Sequence, residues 1–329
     1  MTNDHVLPVG YAVRRPRAAD LGGVLDTLVA SDIADFGEPD WSEGDLRDAW
    51  RDIDLATDAW LVTAPNGAVA GYTSLTHRNH ARLDAEGYVH PAHQGRGVGT
   101  TLVRLTEPRA REHLPLAPVD ARVTLFNSIN GRNAAARALL EREGYAQARH
   151  FWRMRIDLDP ALPPPPPAWP AGIMVRSVAT AADERAAYAA IDEAFQDHWG
   201  HQPTTFEAWL ARHKGQGHEP VLWFLARDGD EVAGAAICRY QLGMGWVDSL
   251  GVRRAWRRRG LGMALLRHAF AEFLRRERPT VALGVDAGSK TGATRLYEAA
   301  GMRVEQQYAI YEKELRPRTE RTAGAECSE

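Results

Sequence analysis

Trp246-Val247-Asp248-Ser249-Leu250-Gly251-Val252, followed by Arg257-Arg258-Arg259-Gly260-Leu261-Gly262 and then Met263-Ala264-Leu265-Leu266-Arg267-His268-Ala269-Phe270, is the stretch that decides the fold. The first part alternates and is β-branched like a half-buried strand, and the last part has the spacing of an amphipathic helix. Glycines therefore stand where a strand hands over to a helix. There the backbone passes close to a ligand, and the unpaired N–H groups of the first helical turn offer a phosphate site. A plain tight turn in which Gly serves positive φ is the competing reading of such a loop alone.

The chain contains this arrangement twice. His90-Pro91-Ala92-His93-Gln94-Gly95-Arg96-Gly97-Val98-Gly99 follows Gly87-Tyr88-Val89, and Gly97 to Gly260 is an offset of 163 residues. The same offset carries Val89 onto Val252, Gly71 onto Gly234, and Trp60-Leu61-Val62 onto Trp223-Phe224-Leu225. Self-similarity at that spacing means two copies of one domain rather than a short-period solenoid.

Both loops fit a Gln/Arg-x-x-Gly-x-Gly/Ala turn after a strand ending in Val. From about Val13 to Leu315 the chain resembles a tandem member of the GNAT superfamily, the acyl-CoA-dependent N-acetyltransferases, similar in layout to the actinobacterial kind that includes mycothiol synthase. The resemblance implies an α/β (α+β) fold of two GNAT-like domains, each a mixed, mostly antiparallel sheet flanked by helices. The implied domains are 1–157 and 173–315, with a linker at 158–172 and a disordered tail at 316–329. The linker holds five consecutive prolines, Pro163 to Pro167, which act as a semi-rigid spacer.

Composition fits two ordinary globular domains: 329 residues, 44% hydrophobic, 25% charged, net charge −3. This balance argues against a nucleic-acid partner. No apolar run spans a bilayer and no signal pattern opens the chain, so a cytoplasmic monomer or homodimer is expected. Cys238 and Cys327 form no framework. His77/His80, His90/His93 and His198/His201 are spaced to bring two imidazoles together, but no third ligand stands nearby in sequence, so no metal is expected.

In chain order, Tyr11 to Arg15 is a strand, Ala19 to Ala30 a helix, and Ser42 caps a second helix. Pro65-Asn66-Gly67 turns an antiparallel hairpin. Pro108 predicts a kink or stop in the helix after the first glycine loop. The second copy repeats this order, with Ala182 to Phe195 and Thr205 to His213 as helices.

The resemblance assigns roles by position. In the second copy, Leu250, Gly251, Val252, Arg257, Arg258, Arg259, Gly260, Leu261, Gly262 and Met263 would hold acetyl-CoA, the co-substrate. Leu250 or a neighbour would donate an N–H to the thioester oxygen. Tyr297, just before the helix-ending Gly301, matches the general acid that protonates the thiolate. Counting back from the glycines puts Trp246 where the family often has a glutamate, and Asp248 two residues later is the candidate base. Period 2 sets Asp248 on the same face as Trp246, unless a β-bulge reverses the parity. Asp192, Asp197 and His198, between two helices, are candidate acceptor contacts; a solvated loop is the other reading. The first copy keeps Val89, Gln94, Gly95, Arg96, Gly97, Val98 and Gly99 but has Leu140 at the acid position, and Leu83 and Ala85 at the two strand positions. The second copy is thus expected to be catalytic and the first degenerate. The expected reaction moves acetyl from acetyl-CoA to a primary amine of a small molecule: an amino sugar, an antibiotic or a mycothiol-precursor-like acceptor. The alternative is a non-catalytic acyl-CoA-binding sensor or scaffold.

Overall fold

The computed structural model describes residues 7–199, 201, 203–214, 218–289 and 291–318. The expected disordered tail falls almost wholly outside them. The chain divides into two compact units, one of residues up to Arg149 together with Tyr308 onward, the other His150–Gln307. The proline run belongs to the second.

In the first unit, β1 (Ala12–Arg14), β2 (Ala59–Thr63), β3 (Val69–Arg78) and β4 (Arg82–Val89) form an antiparallel meander. Helix α1 (Leu21–Phe36) stops at Gly37, whose φ of 87° supplies the left-handed cap. Helix α2 (Glu43–Arg51) starts from Ser42, whose hydroxyl accepts from the Asp45 N–H at 3.2 Å. Both bury apolar residues, Val24, Leu28 and Leu46, against Leu61 and Tyr72. After the glycine loop come α3 (Val98–Glu112), β5 (Val123–Asn130), parallel to β4, and α4 (Ala134–Arg142). The helix does not stop at Pro108: α3 runs on past it to Glu112. Ion pairs hold the helix on both sides of the missing N–H: Glu107 with Lys313 at 2.5 Å and Arg109 with Asp58 at 2.6 Å.

The second unit repeats the plan: β7 (Ile173–Ser177), α5 (Ala181–Phe195), α6 (Phe206–His213), β8 (His218–Asp228), β9 (Glu231–Gln241), β10 (Met244–Val252), α7 (Leu261–Arg275), β11 (Thr280–Asp286) and α8 (Ala293–Ala299). Neighbouring strands are antiparallel except β10 with β11. Phe224, Leu265, Phe270 and Phe273 fill the core between sheet and α7.

Each sheet is completed by a strand that begins in the other unit. β6 (Ala146–Asp157) leaves the first unit, and Phe151 to Asp157 pair antiparallel with β11. β12 (Arg303–Arg316) leaves the second, and Tyr308 to Arg316 pair antiparallel with β5. Charged side chains on both find partners within their units: Arg153 with Glu305 at 2.7 Å, and Arg122 with Glu312 at 2.9 Å.

Candidate active site

In both units the parallel strand pair separates before its end. β4 stays registered with β5 from Arg82↔Thr124 to Ala85↔Asn127, and β10 with β11 only through Gly245↔Val281 and Trp246↔Ala282. Beyond those points, Glu86 to Val89 and Val247 to Val252 pair on one side only, with β3 and β9. The parted edge exposes a row of backbone donors and acceptors to which an extended ligand can add as a strand.

A β-bulge lies at this point in the second unit. The β9 register runs to Val247↔Cys238 and resumes at Ser249↔Ile237, leaving Asp248 as the extra residue. The alternation flips across it. Gly245 faces Phe273 of α7, but beyond the bulge Leu250 and Val252 turn toward α7 at Gly262, while Gly251 faces Ile191 and Ala194 of α5. A Cβ on Gly251 would lie 2.9 Å from the Ala194 Cβ, so glycine there admits helix α5. The β3–β4 register has no such break. Matching strand partners therefore puts Ser249 on Glu86, Val247 on Ala85 and Trp246 on Asp84. Counting at fixed offset gave Leu83 and Ala85 instead; it fails by one residue across the bulge, and Asp248 has no counterpart in the first unit. Glu86, missed from sequence, lines the parted edge of β4. Surrounding protein and Asp84 push its pKa up to about 7, although its side chain still meets solvent.

Asp248 meets His213 at the end of α6. Its Oδ2 lies 3.0 Å from His213 Nε2, and its Oδ1 3.5 Å from Arg239 Nε. His213 Nδ1 donates to the Trp209 carbonyl at 2.7 Å, which fixes the ring, so the Asp248 contact needs a further proton between Nε2 and the carboxylate. Crowding by protein would raise the Asp248 pKa, but the hydrogen bond and charge of His213, with Arg239 and Arg212, outweigh it and hold the group below its ordinary value. The carboxylate is still 28% exposed.

The glycine loop is pre-formed. Gly260 caps α7 with φ 82°, no side chain caps the helix, and no acid stands in the turn formed by Leu261, Gly262 and Met263. The first N–H groups are therefore left for an anion. Of the three arginines, Arg257 is engaged: it donates to the carbonyls of Val252 at 3.1 Å and Ala194 at 3.2 Å and lies 3.6 Å from Asp197. Arg258 and Arg259 are exposed, and Arg258 holds a φ of 63° although it is not glycine. The first unit matches this with Gln94, Gly95 (φ 71°), Arg96, Gly97 (φ 78°) and an equally bare helix start at Val98. Arg96 donates to the Tyr11 hydroxyl at 3.3 Å, and Gly99 lets Leu139 and Val89 approach.

Tyr297 lies on α8, which meets α7 at Gly262: a Cβ there would lie 3.5 Å from Leu296, 3.8 Å from Val252 and 3.9 Å from Leu250. Its ring is buried, and its hydroxyl has no hydrogen-bond partner among the described residues. Burial pushes its pKa up to about 12, so it is a protonated donor at neutral pH. The first-unit equivalent, Leu140, is a core residue. Of the expected acceptor contacts, Asp197 binds Arg254 at 2.9 Å and so steadies the glycine loop. Asp192 lies 3.9 Å from His201, and His198 stacks on Phe195 with its pKa lowered by burial. In the first unit the fold supplies what sequence spacing lacked: His113 joins His77 and His80. No helix of the described residues is long and apolar enough to cross a membrane.

The acetyltransferase (GNAT) family model matches residues 27–145 and again 185–302. The chain is 30% identical over 308 residues to a mycothiol acetyltransferase of Geodermatophilus obscurus, covering 89% of this chain and 94% of that one. It is 33% identical to that of Streptomyces scabiei, over 79% of each. The crystal structure of a GCN5-related N-acetyltransferase from Sphaerobacter thermophilus superposes with a TM-score of 0.84 at 40% identity, covering 95% of this chain and 98% of that one. A tandem GNAT protein of clavulanic acid biosynthesis shares the fold, with a TM-score of 0.71 at 18% identity over 93% of this chain and 99% of that one. Two parted strand pairs, each leading through a glycine loop into an uncapped helix, are thus the two halves of one architecture, and the chain belongs to the acetyltransferase (GNAT) family as a tandem-domain acyl-CoA-dependent N-acetyltransferase.

Proposed function

We propose that the second unit transfers acetyl from acetyl-CoA to a primary amine of a small molecule, by direct attack. The observation that carries this is the early parting of β10 from β11 beside the bare start of α7. The α7 turn, with Arg258 and Arg259, would receive the pyrophosphate, and the free edge at Leu250 to Val252 would hold the pantetheine arm. A backbone N–H near Leu250 would meet the thioester oxygen as charge develops. The amine nitrogen attacks the carbonyl carbon, the C–N bond forms, and the C–S bond breaks. The departing sulfur takes its proton from Tyr297. The amine proton, acidified once the C–N bond has formed, leaves through water toward Asp248. A carboxylate held below its ordinary pKa is a weak base, so Asp248 also serves to draw and orient the acceptor's ammonium group, which gives one proton to water before the free amine attacks.

The relatives named mycothiol acetyltransferase favour an amine on a cysteinyl sugar as acceptor over an antibiotic amine. For the first unit, the bare α3 start combined with Leu140 in place of the acid favours acyl-CoA binding without turnover. The test is free-thiol release from acetyl-CoA against a panel of cysteinyl amino sugars, aminoglycosides, polyamines and peptides. Release dependent on one amine class identifies the acceptor. Acetyl-CoA binding without release for any amine overturns the catalytic reading in favour of a sensor.

A further inference from the structure

Three imidazoles distant in sequence meet in the first unit. His77 is the penultimate residue of β3, His80 is the middle residue of the three-residue connection Asn79-His80-Ala81 that leads into β4, and His113 caps the C-terminus of α3. The rings of His77 and His80 stack with centroids 4.0 Å apart, and that of His113 lies 4.8 Å from the first and 5.0 Å from the second. His80 Nδ1 and His113 Nδ1 are 2.8 Å apart, and one ligating nitrogen from each ring lies within 4.8 Å of the others.

The surroundings ask for more than this one hydrogen bond. His113 is 4% exposed, and its Nε2 is buried with no hydrogen-bond partner. That unpartnered nitrogen costs about 1–3 kcal/mol, which the rest of the fold offsets to hold the His113 ring against His80. Asn79 and His80 hold φ of 50° and 54°, a turn conformation in which the second residue is ordinarily glycine. Here it carries an imidazole, placed onto His113. Burial lowers the pKa of His113 to about 4 and that of His77 below its ordinary value, so both carry a free lone pair at neutral pH, as metal ligation requires. The charged groups acting on them, Asp58 and Arg109, bind each other at 2.6 Å and largely cancel.

We propose that His77, His80 and His113 bind one divalent transition ion of the Zn²⁺ class through one nitrogen each, leaving the fourth position to water. All-imidazole donors select such borderline ions over Mg²⁺ or Ca²⁺. With metal–nitrogen bonds of about 2.0–2.1 Å, tetrahedral ligand atoms lie about 3.3 Å apart. The 2.8 Å His80–His113 contact therefore opens by about half an ångström. The widest separation closes by swinging His77, the exposed member of the three. The ion would tie the β3–β4 turn to the far end of α3, clamping the two elements whose other ends frame the glycine loop.

The untagged full-length chain, stripped with chelator and desalted, is titrated with ZnCl₂ by calorimetry and with CoCl₂ by visible absorption. One equivalent of Zn²⁺ bound tighter than about 10 µM, with Co²⁺ bands of tetrahedral intensity, is expected. His77→Ala and His80→Ala should each weaken binding by about tenfold or more with unchanged circular dichroism, and His90→Ala, in the other histidine pair of this unit, should not. Binding weaker than about 10 µM, or binding that loses less than about tenfold in both variants, overturns the site.

Discussion

Replacing Tyr297 with Phe removes one oxygen atom that makes no hydrogen bond among the described residues. The ring that remains is 8% exposed and packed in the core, so shape and apolar burial are preserved. Stability should change by less than about 0.5 kcal/mol, because no partner is left unsatisfied. General acids contribute about 10²–10⁴ to rate, and the structure indicates which end of that range applies. A hydroxyl pushed up to about 12 faces a thiolate whose conjugate acid, like a cysteine thiol in water, has a pKa of about 8.5. A mismatch of about three and a half units disfavours complete proton transfer by about 5 kcal/mol, although the burial that raises the phenol raises the incoming thiol as well. Tyr297 then stabilises the developing sulfur charge mainly through its hydrogen bond, the proton passing to sulfur only as the C–S bond finishes breaking. The expected loss in kcat is about 100-fold, or about 2.7 kcal/mol, with KM for acetyl-CoA little altered. Thiol release under saturating acetyl-CoA and acceptor measures it, with thermal unfolding as the control. A variant of wild-type stability whose kcat stays within about threefold of wild type would refute the reasoning.

Other substitutions test neighbouring parts of the site. His213→Gln removes the hydrogen bond and charge that lower the Asp248 pKa while the crowding that raises it persists, so the acid limb of kcat/KM should move to higher pH; an unmoved limb removes Asp248 from the reaction. Arg258→Gly relieves a left-handed backbone and should raise stability by about 1 kcal/mol, while raising KM for acetyl-CoA by up to about fivefold if the guanidinium meets phosphate. Thermal unfolding and initial rates read the two effects separately. Gly245→Ala would set a Cβ 2.6 Å from the ring of Phe273, itself fully buried, and should destabilise the second unit by about 1–3 kcal/mol in urea unfolding. Asp183 completes the capping box of α5, whose N-cap is Thr180, and pairs with Arg176, which holds its pKa well below the carboxylate range. Its stabilising effect is present above the ordinary Asp pKa near 4 and lost as pH falls toward the lowered one, so Asp183→Asn should flatten the acid limb of the stability profile.

The glycine loops and their repeat were legible because they are local: strand alternation, Gly at positive φ and helix periodicity sit within one stretch of some 25 residues. The hairpin at Asn66-Gly67 and the cap at Ser42 were legible for the same reason. Comparison between copies at fixed offset broke where β10 bulges, since one extra residue there shifts the earlier positions of β10 by one while β9 and the elements before it keep the offset. β6 and β12 escaped notice because Arg153, Glu305, Glu312 and Lys313 mask their strand character; these charges are matched by partners remote in sequence. Arg257 carried the same signal as Arg258, and only the carbonyls of Val252 and Ala194 distinguish a brace from a free guanidinium. His113 is 33 residues from His80, beyond any spacing rule, and reaches it because α3 ends beside the hairpin turn.

The traded strands β6 and β12 also set a timetable for synthesis. The first unit lacks its last strand until Tyr308 to Arg316 have been made. At about 5–20 residues per second the ribosome needs roughly 10–30 s to cover the intervening stretch. Throughout that interval β5 presents an unfilled edge, open to pairing with any extended segment nearby, including the same strand of a neighbouring nascent chain. The second unit faces no such wait, because Phe151 to Asp157 emerge before β11 does. The half that is proposed to catalyse can therefore close as it is made, and the half that carries the histidine cluster closes last.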